Sequence, residues 1–332
     1  MRYDPDKDLL LSYDIGIKAM PQTITAMRSE ALEAGAKIVE QLSINGPLIA
    51  DIAKQIRQHN PAFVVLVGRG SSDHAALFAK YLIEVELGLP VVSAAPSVAT
   101  TFKVQLQLAK AVVIVISQSG QSPDLIEYVQ MANASGALSI ALVNDIGSPL
   151  AEVCNAVIPL LVGPEMAVAA TKSYLGSLSA LLQLASHLSQ TKTLASAMAQ
   201  IPEALAHAVE CQTQLTQVDL EGVDHCVVTG RGFGFAIGME IALKLKEVCA
   251  IQAECFSSAE FLHGPVRIVA DDFHVIDILI EDETSAIHQP QSARLQQRGA
   301  VVTHLCSTAA WIHPRVAPLV IMQRFYLDLE MI

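Results

Sequence analysis

The chain has 332 residues, 52% of them apolar and 16% charged, with a formal net charge of −12. That length suits two ordinary domains or one large one. The acidic balance argues against a nucleic-acid surface. No apolar run approaches the roughly 20 residues of a membrane-spanning helix.

The chain starts Met1-Arg-Tyr-Asp-Pro, with no apolar signal core, and its six scattered cysteines include no Cys-x-x-Cys pair. A cytoplasmic protein with reduced thiols is expected. No two histidines have a metal-ligand spacing, so no metal is expected.

Residues from about Gly16 to Gln58 read as an N-terminal helical arm, with Pro21 near its start. A strand pattern, Val64-Val-Leu-Val, then ends in Gly68-Arg-Gly70 and Ser71-Ser72-Asp73. The turn lacks the third glycine of a dinucleotide fingerprint, because Asp73 stands in its place. A second strand, Ala111–Ile116, runs into Ser117-Gln118-Ser119-Gly120-Gln121-Ser122-Pro123. Ser122 is placed as the N-cap of a helix and Pro123 as its first residue. Such a turn aims N–H groups and hydroxyls at one point, at the positive end of a helix dipole, and suits a compact anion such as phosphate. A serine-rich connection with no ligand is the alternative.

A third strand pattern covers Ala137–Leu142, and Gly163–Ser173 opens a long helical pattern over Ala167–Gln190. Glu165 in this segment either accepts from ligand hydroxyls or caps the helix. Pro202 is expected to open another helix into the second half.

The strands then recur. Cys226–Gly232 repeats Val64–Gly70, His274–Leu279 repeats Ala111–Ile116, and Ala300–Leu305 repeats Ala137–Leu142, at offsets of 162 or 163 residues. The fold class is therefore α/β: two tandem doubly wound, flavodoxin-like parallel-sheet subdomains behind the helical arm. The arm is assigned to 1–44, the first subdomain to 45–200 and the second to 201–332. Ligands in such sheets bind outside the C-terminal ends of the strands. In the second half those positions carry Phe233-Gly-Phe235 and Ile280-Glu-Asp-Glu283, which would repel a phosphate. One half is thus expected to hold the anion while the other contributes something else.

Two segments of the second half could do chemistry. Glu240, Lys244 and Glu247 fall on one helix face. A solvated, ion-paired face is the ordinary reading, and a carboxylate beside a lysine acting as general base is the functional one. His263 precedes Gly264-Pro265, which places it on a loop, either merely exposed or able to move protons between oxygens.

Taken together, Gly68-Arg-Gly-Ser-Ser72, Ser117–Ser122, Val168-Ala-Ala-Thr-Lys172, Lys244-Leu-Lys-Glu247 and His263-Gly-Pro265 resemble the sugar isomerase (SIS) family over nearly the whole chain. The likeness is to the isomerase half of glutamine–fructose-6-phosphate amidotransferases and to stand-alone amino-sugar-phosphate deaminases. The resemblance implies that Ser72, Ser117, Gln118, Ser119 and Ser122 bind a 6-phosphate. It implies that Val168 and Ala170 contact the sugar through backbone groups, and that Glu165 meets its hydroxyls. Glu247 would shuttle a proton between C1 and C2, supported by Lys244. His263 would assist ring opening from the neighbouring subunit of a homodimer with a shared site. Neither metal nor organic cofactor is implied.

Two departures stand out. The amidotransferases begin with a glutaminase domain whose cysteine follows the initiator methionine, whereas Arg2 follows Met1 here. Glutamine hydrolysis is therefore not expected. The family's C-terminal tail lysine also has no counterpart, because the sequence stops at Leu327–Ile332. The leading expectation is deamination of glucosamine 6-phosphate to fructose 6-phosphate. A galactosamine-6-phosphate deaminase or fructosamine-6-phosphate deglycase would use the same chemistry. A non-catalytic sugar-phosphate sensor is the reading from another class.

Overall fold

The computed structural model describes residues 24–189 and 191–332. The expected start of the arm, with Gly16 and Pro21, lies outside them. The first half runs α1 (Ala26–His59), β1 (Phe63–Val67), α2 (Ser71–Leu87), β2 (Val91–Ser93), α3 (Pro96–Thr100), β3 (Ala111–Ser117), α4 (Pro123–Ala134), β4 (Leu138–Val143), α5 (Pro149–Val153), β5 (Ala156–Pro159) and α6 (Lys172–Ser189). The second runs α7 (Lys192–Glu210), α8 (Gln217–Leu220), β6 (His225–Gly230), α9 (Phe233–Cys249), β7 (Gln252–Ser257), α10 (Ser258–Phe261), β8 (His274–Leu279), α11 (Ser285–Gln297), β9 (Val301–Cys306) and α12 (Ala317–Leu329).

Both sheets are wholly parallel, in the orders β2-β1-β3-β4-β5 and β7-β6-β8-β9. The first is the flavodoxin-like order, and the second repeats its core. The repeat extends to strand pairing, with the register shifted by one residue: Val64 pairs with Val112 in one sheet, and Val227, the counterpart of Val65, with Val275 in the other. In each sheet the strand order reverses between the first strand and its later neighbour, which opens a crevice at the strand ends. The strands missing from the sequence reading, β2, β5 and β7, sit at sheet edges. The first two are three and four residues long, and Gln252-Ala-Glu-Cys-Phe-Ser257 is half polar. The first two are too short, and the third too polar, to stand out as a strand buried on both faces.

Helix α1 is held at its start by Thr25, whose hydroxyl accepts from the Arg28 N–H at 3.0 Å, and ends on left-handed Asn60. Its buried stripe includes Ala31, Ala34, Ile38, Ile49 and Ile52. Two polar residues within the stripe tie it to the first sheet: Gln41 Nε2 donates to the Leu160 carbonyl at 2.7 Å, and Asn45 Nδ2 to that of Pro159 at 2.7 Å.

Two expectations need correction. Pro202 does not open a helix; it lies inside α7. A proline there removes one backbone hydrogen bond, but Leu194, Ala197, Ile201, Ala204, Leu205 and Ala208 bury one face of α7 and hold it together. The long helix begins at Lys172 rather than Ala167, because carboxylates take the preceding N–H groups. Glu30 of α1 accepts from Met166 and Ala167, and Glu165 accepts from Thr171 and Ser173 at 3.0 Å each. The expected boundaries after residues 44 and 200 fall inside α1 and α7, each of which is unbroken.

The second sheet buries a charge. Asp277 is fully buried on β8; it accepts from the Thr229 hydroxyl at 2.6 Å, and His288 Nε2 and His304 Nδ1 stand at 3.1 and 3.4 Å. Burial alone would raise its pKa, but the nearby His288 and His304 rings and the bond from Thr229 prevail and hold it below the usual carboxylate range. A depressed carboxylate pKa stabilises the fold above its unfolded value of about 4, and that stability is lost as the pH falls. Asp277→Asn is expected to flatten the loss of stability between about pH 5 and pH 3. Urea unfolding at both pH values checks this, and equal acid sensitivity in variant and wild type would remove Asp277 from the account.

Among the described residues no helix is long and apolar enough to cross a membrane. The cysteines are all unpaired, and burial pushes the Cys226 thiol up to about 12.

Candidate active site

The crevice between the ends of β1 and β3 holds a cavity of about 180 Å³, whose lining includes Arg69, Ser71, Ser72, Gln118, Ala170 and Tyr174. Three of the residues singled out in the sequence, Ser72, Gln118 and Ala170, thus meet in one place. Ser72 stands in the first turn of α2, Gln118 just past β3, and Ala170 on the loop before α6.

The Ser117–Ser122 turn is built as its sequence suggests. Ser122 is the N-cap residue of α4 and Pro123 follows it, but the Ser122 side chain makes no capping bond. The Ser117 hydroxyl accepts from the Gly120 N–H at 3.1 Å, and the Ser119 hydroxyl from the Gln121 N–H at 3.4 Å. A hydroxyl that accepts still has its own proton to give. All three serines therefore keep donors for an anion. Gly120 has φ +64°, and a Cβ there would run into the side chain of Ser148, so the turn needs glycine at this point. Beside the turn, Arg69 Nε donates to Asp124 Oδ2 in the first turn of α4 at 2.7 Å. Sequence reading passed over Arg69 as part of a glycine turn, although a guanidinium beside phosphate-type donors is the signal that could have marked it.

Helices α2 and α9 join the two halves. Phe233 at the start of α9 packs at a tilt against Phe78 and Tyr81, with ring centroids at 5.5 and 6.1 Å. Further along, Glu240 Oε2 lies 2.7 Å from Nδ1 of His74, near the start of α2. The helices therefore run antiparallel, and the C-terminal turns of α9 pass the N-terminus of α2. At about 1.5 Å per residue, Glu247 lies some 10 Å beyond Glu240 along the axis, whereas α2 starts only about 5 Å beyond His74. This carries Glu247 over the side of the first sheet that bears the serine turns.

The charged face of α9 is not a solvated one. Glu240 and Lys244 are 0% and 1% exposed at their side chains, and Glu247 is 34% exposed. Lys244 Nζ stands 3.3 Å from Glu240 Oε1 and 2.6 Å from Glu247 Oε2. The Tyr326 hydroxyl donates to Glu240 Oε1 at 3.4 Å. A chain of contacts thus runs from His74 through Glu240 and Lys244 to Glu247. Lys244 is held between two carboxylates, one sealed in and one open to solvent. Tyr174, in the lining of the cavity, is buried with its hydroxyl unpartnered, and burial, then the nearby Glu240 charge, pushes its pKa well up.

Other expected residues stand apart from this cluster. Val168 is 99% exposed and does not line the cavity. Glu165 spends Oε1 on the start of α6, the capping role named as its alternative. Lys172 is buried and donates to Glu33 of α1 at 2.9 Å, so it braces the same loop. His263 is exposed in the turn after α10.

Comparison with known proteins places the chain by family and fold. The SIS domain family matches residues 59–187. A glutamine–fructose-6-phosphate aminotransferase (isomerizing) from Clostridium perfringens is 28% identical over 302 residues, covering 87% of this chain and 47% of the relative. The chain thus spans under half the length of that curated relative. The crystal structure of a candidate phosphosugar isomerase from Silicibacter pomeroyi superposes with a TM-score of 0.87 at 36% identity, covering 92% of this chain and 97% of that one. The C-terminal domain of the Francisella tularensis glucosamine–fructose-6-phosphate aminotransferase shares the fold, with a TM-score of 0.81 at 22% identity over 93% and 96% of the two chains. The family match and the near-complete likeness to the Silicibacter structure make this chain a member of the SIS family of phosphosugar isomerases.

Proposed function

We propose that the protein is an amino-sugar-6-phosphate deaminase–isomerase, acting on glucosamine 6-phosphate. The observation that supports this reading is the antiparallel packing of α2 on α9, which points the end of α9 bearing the lysine-held Glu247 toward the serine-turn side of the first sheet. The relatives' names join an amino group to fructose 6-phosphate, and the C1–C2 proton transfer is common to that synthesis and its reversal.

The phosphate is gripped by Ser72, Ser117, Gln118, Ser119 and Ser122, with Arg69 beside them. Val168 and Ala170 face the sugar through their backbone, and the second oxygen of Glu165 is left for a hydroxyl. His263 reaches the site of a second subunit and assists ring opening, which makes the working unit a homodimer. In the open-chain sugar Glu247 takes the proton from C2 while O1 gains one, giving an enolamine. Return of the proton to C1 leaves an imine at C2. Water adds to that carbon and expels ammonia, leaving fructose 6-phosphate. Lys244, held by Glu240, aims the Glu247 carboxylate.

The test is release of ammonia from glucosamine 6-phosphate by the purified chain, with exchange of the C2 proton followed by NMR in deuterated water. Galactosamine 6-phosphate and fructosamine 6-phosphates serve as rival substrates. Ser72→Ala is expected to raise KM about tenfold with kcat largely kept, because the phosphate grip is remote from the reacting carbons. Tight sugar-phosphate binding with an inert C2 proton would instead make the protein a sensor.

A further inference from the structure

A second cavity, of about 630 Å³, opens at the matching crevice of the second sheet, between the ends of β6 and β8. Its lining includes Tyr81, Arg231, Phe233, Phe235, Glu260 and Asp282. The turn beneath it keeps the backbone of its twin. Gly232 has φ 53° and ψ −121°, against φ 54° and ψ −130° at Gly70. A Cβ on Gly230 would come within 2.5 Å of the Gly234 backbone, as one on Gly68 would come within 2.7 Å of that of Ser72. The backbone of a ligand turn has been retained while its side chains have changed.

Those changes define a different ligand. Where the first half has Ser71-Ser72-Asp73, the second has Phe233-Gly234-Phe235, and Asp282 takes the place of Ser119. Arg231 is the counterpart of Arg69. The aspartate that holds Arg69 is replaced at the matching position by Ile287, and among the described residues Arg231 makes no ion pair. The guanidinium has lost its internal partner. Tyr81 reports the neighbourhood: burial pushes its phenol pKa up, while both the Arg231 and Glu260 charges bear on it. Glu283, also in the wall, is already taken: Arg315 holds it through two bonds of 2.9 Å, holds Glu86 of α2 at 2.7 Å, and lies 5.0 Å from the Phe233 ring centroid. The wall is therefore braced, and since Asp282 Oδ1 accepts from the Thr284 N–H and hydroxyl at 2.7 and 2.6 Å, the charges left for a ligand are one cation, Arg231, and two anions, Glu260 and the free oxygen of Asp282.

From this balance we propose that the cavity binds a zwitterionic α-amino acid with an apolar side chain. Its carboxylate pairs with Arg231, its ammonium sits between Glu260 and Asp282, and its side chain lies along Tyr81, Phe233 and Phe235. A phosphate dianion would set its charge against two carboxylates, and a neutral polyol would leave the guanidinium without a counter-charge. The site is separate from the sugar-phosphate pocket and does not depend on its chemistry.

Calorimetry on the full chain tests this with L-leucine and L-phenylalanine. Isoamylamine, which lacks the carboxylate, and isocaproate, which lacks the ammonium, serve as analogues. Saturable binding of at least one amino acid is expected, with each analogue weaker by about tenfold or more. Arg231→Gln should erase the preference for leucine over isoamylamine, and Glu260→Gln or Asp282→Asn should narrow that over isocaproate. Ser72→Ala should leave leucine binding as in the wild type. Absence of binding by either amino acid at about 10 mM, a concentration well above a millimolar dissociation constant, would overturn the proposal. So would equal binding of the single-charge analogues, or leucine binding indifferent to Arg231→Gln in a variant that keeps its circular dichroism.

Discussion

Glu247→Gln is expected to lower ammonia release from glucosamine 6-phosphate by about 10²- to 10⁴-fold, the usual worth of a positioned general base. The change keeps the shape of the side chain and removes its basicity. At 34% exposed, the position tolerates an amide, so the fold should be unaffected. KM should change little, because the groups proposed to hold the phosphate belong to the other half of the chain. A loss confined to kcat is the mark of a group that acts in the transition state alone. The C2-proton exchange should fall by the same factor as ammonia release, since both need the same proton removed. Exchange retained within about tenfold would move the base elsewhere; imine hydrolysis alone being slowed would leave exchange intact and give Glu247 a later role.

Three strands of each half could be read in the sequence because the signal is local and written twice. Ala111–Ile116 is a continuous apolar run, its counterpart His274–Leu279 keeps the strand pattern around Asp277, and Ser122-Pro123 is a helix start whatever lies around it. The phosphate-type turn was legible for the same reason: its residues are neighbours in the chain. What could not be read depends on contacts between distant segments. Spacing alone makes Glu240 and Lys244 an exposed ion-paired stripe. They are buried because α2 lies against them, and the contact between His74 and Glu240 joins residues 166 apart. Glu165 looked equally suited to a ligand and to a cap, and its bonds to Thr171 and Ser173 depend on how the loop folds back. The second cavity was passed over for another reason. Apolar and acidic residues argue against phosphate, but the same residues are a positive signal for a ligand that carries an ammonium.

Glu240→Leu should destabilise the protein by about 3–5 kcal/mol, because it leaves the Lys244 ammonium buried with no sealed partner. Lys244 is 1% exposed at its side chain, and the other carboxylate it touches, Glu247, stands partly in water. The substitution also strips His74 and Tyr326 of their shared acceptor. With typical stabilities of about 5–15 kcal/mol, such a loss takes up much of the margin. The double variant Glu240→Leu with Lys244→Met removes both charges together and fills the space with apolar atoms. Replacing a whole buried pair in this way is often neutral or even stabilising. The double variant should therefore be more stable than Glu240→Leu alone, with a coupling of about 1–3 kcal/mol in the cycle of unfolding free energies. It should also be inactive, since Glu247 no longer has its ammonium. Restored stability without restored turnover would separate the structural role of the buried pair from its chemical one. Additive effects of the two substitutions would mean that Lys244 and Glu240 do not depend on each other, and the chain of contacts from His74 to Glu247 would be broken at its centre.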